Sequence, residues 1–476
     1  MNSILFLPIL PEIFLTIISM FLLILGVFNK GENAYTLVSN LSIISLLITL
    51  FFVISGMIPQ GLSFGSSLIS DDFSIFLKAL ILTASIAILI VSNIYLKDIR
   101  LLKFEYIILI LISVIGMMIM VSSNDLITLY LSIELQSLPL YVLASIRNKS
   151  LKSTESGLKY FVLGALSSCI LLYGLSLIYG YTGSIYYSDM AANIQVSDIG
   201  VLVGLAFALA GFAFKISAVP FHMWTPDVYE GSPTTITAFF AIAPKIAALG
   251  LIARILITGL PSLIEDWRSI LILLSIFSML LGAFSAIGQS NIKRLLAYSS
   301  ISHMGFALMG IANGSIEGIR SLCLYLLIYL VMSLAIFISI IALKKENEHV
   351  EEINQLSGLS KTNPIMAIIL SILLFSLAGI PPLAGFFAKF YVLYAAINAE
   401  LYYLAIFGVV SSVISAFYYL RIIKIMYFDD SSITFDPISK RLKLLIYALS
   451  AITLLFFVKP SLFLNMADIA ASSLFI

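Results

Sequence analysis

Long apolar runs constrain the fold of this chain more than any other feature of it. A helix needs about 20 mostly apolar residues to cross the hydrocarbon core of a bilayer. Such runs lie near residues 4–28, 37–58, 73–95, 104–121, 125–145, 159–180, 198–218, 233–258, 268–288, 295–313, 320–343, 363–397, 401–427 and 442–464. The sequence therefore predicts an all-α polytopic membrane protein with about fourteen transmembrane helices.

The overall composition excludes a soluble protein with an unusually large core. Hydrophobic residues make up 61% of the chain and charged residues 11%, and the mean hydropathy is +1.10. Soluble domains are about 45–50% apolar and about 25% charged. The net charge of +1 and the lack of a basic block with interleaved aromatic residues give no reason to expect nucleic acid as a partner.

The charges between the runs predict how the chain is oriented. Connections after odd-numbered runs are basic: Lys30; Lys97, Arg100 and Lys103; Arg147, Lys149 and Lys152; Lys293 and Arg294; Lys344, Lys345 and Lys361; Lys440, Arg441 and Lys443. Connections after even-numbered runs are mainly acidic: Asp71 and Asp72; Asp125; Asp189 and Asp198; Glu265 and Asp266; Glu317; Glu400. Because positive loops stay in the cytoplasm, we expect both termini on the opposite, periplasmic side.

The connection after the seventh run breaks this alternation. It carries His222, Asp227 and Glu230 but no lysine or arginine. Their spacing matches no standard metal site, so capping or ordering of the loop is the preferred interpretation. We expect a special structural element there rather than a plain connector.

One seven-residue pattern occurs twice, and each copy places a lysine in an apolar run. Residues 209–215 read LAGFAFK and residues 383–389 read LAGFFAK, so the lysines are 389 − 215 = 174 residues apart. Prolines stand close by: Pro220 after the first copy, and Pro381 and Pro382 before the second. A repeated intramembrane charge beside a helix break is typical of an ion-pathway protein built from two related halves.

Those prolines predict that the seventh and twelfth helices are discontinuous. Proline removes a backbone donor and clashes with the preceding turn. Broken backbone at membrane depth is tolerated only where protein or water satisfies the freed groups. We therefore expect both breaks inside the protein, near the pathway.

Five ionisable residues fall near the middle of their runs and are the candidate proton-translocation residues: Glu134, Lys215, Lys245, His303 and Lys389. A charge at the centre of a membrane helix costs about 2.5–3.5 kcal/mol on insertion scales. Burial favours the neutral form of each group, and a nearby opposite charge favours the ionised form. A glutamate–lysine pair is thus poised to exchange protons, as a proton relay requires.

The repeat extends beyond the lysines and predicts the domain organisation. Glu134 ends the stretch YLSIE and His303 ends YSSISH, separated by 303 − 134 = 169 residues. We expect a single integral membrane domain with three N-terminal helices in 1–103, helices 4–8 in 104–258, helices 9–13 in 268–427 and a last helix in 428–476. Two consecutive five-helix units are opposite in orientation, which is the logic of inverted repeats.

Charges near the ends of the runs receive the simpler interpretation. Lys159, Lys293 and Arg294 are expected to extend from helix ends to the interface, and the same applies to Arg254, Arg421 and Lys424. Glu12, which follows Pro11 near the start of the first run, is expected at the surface.

Several kinds of chemistry have no motif in this sequence. There is no P-loop, no dinucleotide fingerprint, no iron–sulfur cysteine spacing and no paired-histidine haem signal. We therefore expect no catalytic residue for redox chemistry, no metal ligand and no cofactor in this chain. Either the protein exchanges ions along a gradient, or a partner supplies the energy.

Two long segments resemble a known family. Residues 214–233 read FKISAVPFHMWTPDVYEGSP and residues 291–305 read NIKRLLAYSSISHMG. Both are similar to hallmark segments of the antiporter-like membrane subunits of respiratory complex I, and the resemblance extends over essentially the whole chain. It implies fourteen helices, two inverted five-helix repeats and discontinuous helices 7 and 12.

The resemblance also implies roles and partners. By the family's motif, Glu134 and Lys215 match its ion pair, Lys245 and His303 its central relay, and Lys389 its last lysine toward the exit. NAD, flavin, iron–sulfur clusters and quinone would belong to partner subunits. The implied neighbours are membrane subunits resembling subunits K and M of that complex. The implied location is the bacterial inner membrane, with the mitochondrial inner membrane as the alternative.

Three other functions remain open at this stage. A subunit of a multi-subunit cation/proton antiporter would share the fold and the lysine–glutamate chemistry but would exchange sodium without NADH. The equivalent subunit of a photosynthetic or formate-linked complex would differ only in its neighbouring subunits. A scaffold without transport is excluded if the central lysines are essential.

Overall fold

The computed structural model describes residues 4–29, 31–194, 198–346, 348–430 and 435–475. Its α-helices are α1 Leu10–Phe28, α2 Gly31–Ile54, α3 Asp72–Asp98, α4 Phe104–Ser122, α5 Leu126–Ala144, α6 Leu151–Thr182, α7 Tyr187–Asn193, α8 Ile199–Ile216, α9 Trp224–Gly231, α10 Thr234–Arg254, α11 Ile264–Ile287, α12 Ile292–Ala312, α13 Ile316–Ala342, α14 Leu359–Thr362, α15 Pro364–Ala378, α16 Ala384–Asn398, α17 Tyr402–Phe428, α18 Lys440–Leu455 and α19 Ser461–Ser473. Two short antiparallel hairpins complete the fold, β1 Gly61–Ser63 with β2 Leu68–Ser70 and β3 Lys344–Lys345 with β4 Glu348–His349.

The predicted all-α membrane fold is confirmed. Within the described ranges, 13 helices are long and apolar enough to cross a membrane. The helices α15 and α16 have 15 residues each, fewer than one crossing needs, and together they form the discontinuous twelfth helix. The seventh is discontinuous too, because α8 ends at Ile216 and α9 begins at Trp224. With α15–α16 counted as one crossing, the fold has about fourteen transmembrane helices.

The prediction was wrong at the end of the chain. The apolar run 442–464 does not form one helix, since α18 ends at Leu455 and a short 3₁₀ turn covers Phe456–Val458. Pro460 follows, and a further 13-residue helix, α19, then begins at Ser461. Proline fits just before a helix start but not inside a helix, which explains the division.

Polar caps define where several of the apolar helices begin. Asp71 accepts a hydrogen bond from the Ser74 amide at the start of α3, and Asn291 accepts from the amides of Lys293 and Arg294 at the start of α12. Such side chains satisfy amides that have no partner within the helix. Four more helices, α5, α6, α13 and α15, begin with side-chain caps at Asp125, Ser150, Ser315 and Asn363.

The described chain folds into two compact units. Unit 1 comprises the described residues of Met1–Ile216, Gly231–Leu271 and Met466–Ile476; unit 2 comprises Ser217–Glu230 and Ile272–Asn465. In unit 1, α6 packs on α8, α4 packs on α5, and α10 packs on α3, α4, α5 and α8. In unit 2, α13 packs on α12, α15, α16 and α18.

Candidate functional site

Unit 1 brings Glu134 of α5 and Lys215 of α8 together. Glu134 Oε1 lies 3.9 Å from Lys215 Nζ, and their side chains are 23% and 6% exposed, respectively. This separation is within the range of an ion pair but too long for a hydrogen bond. The two charges therefore attract each other across a small gap without direct hydrogen bonding.

Serine hydroxyls hold each member of this pair. Lys215 Nζ donates a hydrogen bond to Ser137 Oγ at 2.9 Å, and Ser137 Oγ donates to the Ile133 carbonyl at 2.7 Å. The hydroxyl of Ser168 on α6 donates to the Glu134 carboxylate. Each member of the pair therefore has a hydroxyl partner of its own at this separation.

Lys245 lies on α10, which is buried along its whole length. The lysine is 1% exposed and follows Pro244 within the helix. Because proline has no N–H to donate, the helical hydrogen bond to the carbonyl one turn back is missing at this point. A lysine changes protonation readily when it is buried, so Lys245 is chemically able to take up and release a proton here.

Unit 2 places His303 of α12 against a tyrosine of α13. His303 Nδ1 lies 2.6 Å from the Tyr325 hydroxyl, and the two side chains are 4% and 1% exposed. Either group can donate, because imidazole and phenol each hold one exchangeable proton. The Phe306 ring stacks on the Tyr325 ring at 6.3 Å between centroids.

Lys389 is held by a carbonyl and an aromatic face. Its Nζ donates to the Ala378 carbonyl at 3.0 Å and lies 5.1 Å from the centre of the Phe306 ring. Ala378 is the last residue of α15, where carbonyls lack helical partners and the helix dipole is negative. Lys389 therefore caps one half of the broken helix from its own place in the other half, α16.

Two glycines make room for this arrangement. Gly379 ends α15 with φ +88°, and a Cβ there would stand 2.9 Å from Lys389 Cδ. At Gly385, a Cβ would stand 1.8 Å from the Ser376 carbonyl oxygen, and its N–H donates to Ser376 Oγ at 3.0 Å. The glycine of the second LAGFxxK copy is thus required by the close approach of α15 and α16.

The special element expected after the seventh helix is a turn followed by the eight-residue helix α9. Arg294 Nη1 lies 2.7 Å from Asp227 Oδ1 and 2.9 Å from Glu230 Oε2. Lys293 Nζ donates to the Glu230 carbonyl at 2.7 Å and lies 3.1 Å from Glu351 Oε1. The carboxylates of α9 thus order this segment through ion pairs with α12.

The structure corrects three of the interface assignments. Lys293 is 3% exposed and Arg294 is paired with two carboxylates, so neither simply extends into the interface. Arg254 is 2% exposed and makes two hydrogen bonds of 2.8 Å to Asp71. Lys159 and Lys424 do have exposed side chains, at 39% and 65%.

Glu12 was also misplaced by sequence reasoning. It is 3% exposed rather than at the surface, and its Oε1 lies 2.6 Å from Nζ of Lys78, which is equally buried. Lys78 could have indicated a buried partner for Glu12, because it lies inside the third apolar run. It stands near the start of that run, however, where a charge is usually an interface residue. Tyr325 was missed as well, because a tyrosine in an apolar helix gives no sign that it meets a histidine.

No group of three or more histidine, cysteine, aspartate or glutamate side chains able to hold a metal ion occurs within the described ranges. The polar groups that the structure does bring together are lysines, carboxylates, hydroxyls and one imidazole, each of which can donate or accept a proton.

Comparison with known proteins places this architecture in a class. Residues 123–415 match the family described as "NADH:quinone oxidoreductase/Mrp antiporter, TM", which covers more than half of the chain. The chain belongs to this family of antiporter-like membrane proteins.

Individual relatives are more specific. The NADH-quinone oxidoreductase subunit N of Rhodospirillum rubrum is 50% identical over 473 residues, 98% of this chain and 97% of the relative. A chain of respiratory complex I from Thermus thermophilus is 28% identical with a TM-score of 0.82, covering 96% of this chain and 100% of that chain. A chain of the Mrp complex from Dietzia is 23% identical with a TM-score of 0.84, covering 98% and 97%, and shares the fold.

Proposed function

We propose that this chain is a proton-translocating, antiporter-like membrane subunit of NADH:quinone oxidoreductase, the counterpart of subunit N. The observation that carries this proposal is 50% identity, over nearly its full length, with a protein of that name. The buried lysines and their partners supply the chemistry that such a subunit needs.

In this proposal Glu134 and Lys215 exchange protons as a pair. When the two ions approach, attraction favours both charges; when they separate, burial favours the neutral forms. The hydroxyls of Ser137 and Ser168 hydrogen-bond to the lysine and to the glutamate, respectively, while the two groups are apart. A change in the field at this pair is then converted into the uptake or release of a proton.

The remaining candidate residues extend the relay. Lys245 would receive or supply protons within unit 1, and the His303–Tyr325 pair would do so within unit 2. Lys389 would be the last lysine toward the exit. Its ammonium is stabilised by the dipole of α15 and by the Phe306 ring. Both partners are uncharged, so neither becomes an unpaired anion when Lys389 loses its proton.

The partners follow from the same proposal. Reaction with NADH, flavin, iron–sulfur clusters and quinone would take place in other subunits, and this chain would convert their conformational and electrostatic changes into proton movement. Its neighbours would resemble subunits K and M. It would lie in the bacterial inner membrane, or the mitochondrial inner membrane, with both termini on the periplasmic or equivalent side.

The domain organisation is proposed on the same basis. Three N-terminal helices in 1–103 would precede two inverted five-helix repeats, 104–258 and 268–427, and the region 428–476 would close a single membrane domain.

The test begins with purification of the native particle in mild detergent through a C-terminal tag, followed by identification of its subunits by mass. We expect a large particle with flavin and iron–sulfur subunits that reduces quinone with NADH. A small particle of membrane subunits alone, inactive with NADH and driving sodium–proton exchange in vesicles, would instead support the antiporter function. Formate-linked or photosynthetic partners in the particle would likewise overturn the assignment.

A further inference from the structure

The buried pair of Glu12 and Lys78 lies outside both proposed repeats. Glu12 stands near the start of α1 and Lys78 near the start of α3, and two crossings separate these starts, so both lie toward the same side of the membrane. Their charged atoms are 2.6 Å apart, and each side chain is 3% exposed. None of the residues proposed for the relay takes part in this pair.

A comparison within unit 1 shows that this is an unusual ion pair. Arg254 and Asp71 form a bidentate pair, Arg254 also donates to the Val121 carbonyl, and Asp71 accepts from Ser74. Burial alone raises the pKa of Asp71, but the Arg254 guanidinium and the Ser74 hydrogen bonds outweigh it and lower that pKa. The Arg254–Asp71 pair is thus supported by several hydrogen bonds, and its cation is an arginine, which does not pass its proton to the carboxylate.

The Glu12 pair lacks such support. Apart from the ammonium of Lys78, neither carboxylate oxygen of Glu12 has a hydrogen-bond partner among the described residues. An ammonium has three N–H donors, and the Glu12 carboxylate is its only protein partner within the described ranges. A buried charge pair without further hydrogen bonds is poorly compensated for the water that it has lost.

A cavity reaches the lysine of this pair. It has a volume of about 330 Å³, is partly open, and is lined among others by Pro8, Pro11, Gly56, Gln60 and Lys78. This space can hold a cluster of water molecules, and polar lining atoms give them partners. Water in the cavity would therefore contact Lys78, whereas Glu12 is not among the residues that line it.

The other charged groups at this end of the helices are already engaged. The elements packed against α1 and α3 include the 3₁₀ helix Ile4–Ile9, α2, α4, α10 and β2, and Ser473 of α19 accepts a hydrogen bond from the Phe73 amide. Glu32 and Glu105 lie in the first turns of α2 and α4, on the other side of the membrane from the Glu12–Lys78 pair. Lys245 is at mid-depth in α10. Asp71 is bound to Arg254, and Asp72 accepts a hydrogen bond from Gln60 at 2.5 Å.

We propose that Glu12 and Lys78 form a separate proton-exchange site, in which Lys78 passes protons between cavity water and Glu12. The Lys78 ammonium gives a proton to the Glu12 carboxylate, leaving an amine and a carboxylic acid. The amine then takes a proton from a hydronium ion in the cavity, which becomes water. The site as a whole has gained one proton, and the reverse steps release it.

The experiment uses carbodiimides, which modify carboxyl groups only when they are protonated. Native membranes that contain the full chain in its assembled complex are treated over a range of pH with a lipophilic and with a water-soluble carbodiimide. Peptide mass spectrometry then reports the labelled fraction of Glu12. Asp71 is the matched internal control, because it is a buried carboxyl paired with a cation that keeps its proton.

We expect Glu12 to be labelled at low and neutral pH, with less labelling as the pH rises, and Asp71 to stay unlabelled. Lys78→Arg preserves the charge but cannot transfer its proton, so labelling should fall severalfold. Lys78→Met leaves an unpaired buried carboxyl, so labelling should rise and lose its dependence on pH.

Two results would overturn the proposal. Labelling in Lys78→Met but not in the wild type would mean that the natural pair stays ionised and is purely structural. No labelling of Glu12 by either reagent in any variant would mean that cavity water does not exchange with it. The measurement does not depend on NADH turnover, so its failure and the failure of the proposed function are distinguishable.

Discussion

Lys215 and Lys389 occupy the same position of the same seven-residue motif, but their surroundings differ. Lys215 is the penultimate residue of α8, 3.9 Å from a carboxylate and hydrogen-bonded to a serine. Lys389 lies one turn into α16, bound to a carbonyl and set over an aromatic ring, and within the described ranges no carboxylate pairs with it. The first lysine stands before a helix break and the second after one.

This difference shows that the repeat preserves the lysine but not the groups that stabilise its charge. The charge on Lys215 is stabilised by a group that can itself change protonation, so each member of the pair responds to the other. The charge on Lys389 is stabilised by fixed dipoles and a ring quadrupole. One site can act as a coupled switch, whereas the other can only respond to changes in its field.

The largest expected effect is that of Lys215→Met. A positioned proton donor or acceptor typically contributes about 10²–10⁴-fold to a rate. We expect coupled NADH:quinone turnover and proton pumping in membrane vesicles to fall at least about tenfold, while NADH oxidation by an artificial acceptor continues. Lys159→Met, on the exposed face of α6, is the matched control and should pump normally. Wild-type pumping by Lys215→Met would contradict the proposed relay.

The next effect separates the two lysines by their coupling to Glu134. Glu134→Gln alone should reduce pumping severalfold, because the pair loses its acceptor. In the Lys215→Met background it should add little, since residues that act as a unit are not additive. In the Lys389→Met background its effect should add in full. Equal additivity in both backgrounds would remove the distinction drawn between the two sites.

Stability should show the same contrast. Lys215→Met leaves the Glu134 carboxylate without its cation, a loss of about 1–3 kcal/mol for a partly exposed charge. Lys389→Met removes a hydrogen-bond donor from one carbonyl only, so the loss of stability should be smaller. Thermal inactivation of the detergent-solubilised complex measures both, and Glu134→Gln should restore the stability of Lys215→Met. Lack of that recovery would show that the ion pair does not account for the loss.

A smaller effect tests the geometry around Lys389. Gly385→Ala forces a Cβ against the Ser376 carbonyl, so overpacking should cost about 1–3 kcal/mol and lower pumping by displacing α16. Gly180→Ala is the control: a Cβ at Gly180 meets nothing within 4 Å, so this variant should be neutral or slightly stabilising. Both are compared by thermal inactivation and pumping in vesicles.

The smallest effect concerns the hydrogen bond between His303 and Tyr325. Tyr325→Phe keeps the ring that stacks on Phe306 but removes the hydroxyl that lies 2.6 Å from Nδ1. The loss of one buried hydrogen bond costs about 1 kcal/mol. We expect pumping to fall by less than about fivefold, with a normal yield of assembled complex. Complete loss of pumping would contradict this prediction, because it would show that the role of Tyr325 is not limited to its hydrogen bond with His303.

Much of the fold could be predicted because every crossing of a bilayer has to be a helix of about 20 mostly apolar residues. The apolar runs located most helices to within a few residues, and prolines with glycines located both breaks. The starts of α2 at Gly31 and of α6 at Leu151 lie well before the predicted starts at 37 and 159, because polar residues begin both helices. The end of α18 and the presence of α19 were missed, because an apolar run continues across Lys459 and Pro460 while the helix does not.

Sequence reasoning singled out Glu134 and Lys215 from charge at mid-depth, but it could not supply the distances. The serines at 137 and 168 are ordinary in apolar helices, and only the packing of α5, α6 and α8 brings their hydroxyls to the ions. The same limit explains Glu12 and Arg254. A charged residue near a helix end is interpreted as an interface residue unless its buried partner is known, and that partner can be distant in sequence.

Lys293 shows that one charge can act at two different times. It counts among the basic residues that predict the orientation of the chain, yet in the folded protein it is 3% exposed and bound to Glu230 and Glu351. In the proposed orientation, its effect on topology would therefore belong to biosynthesis, before α12 packs and while the ammonium is still exposed to water. After folding, the same charge is buried and links α12 both to the segment that follows the seventh helix, through Glu230, and to Glu351.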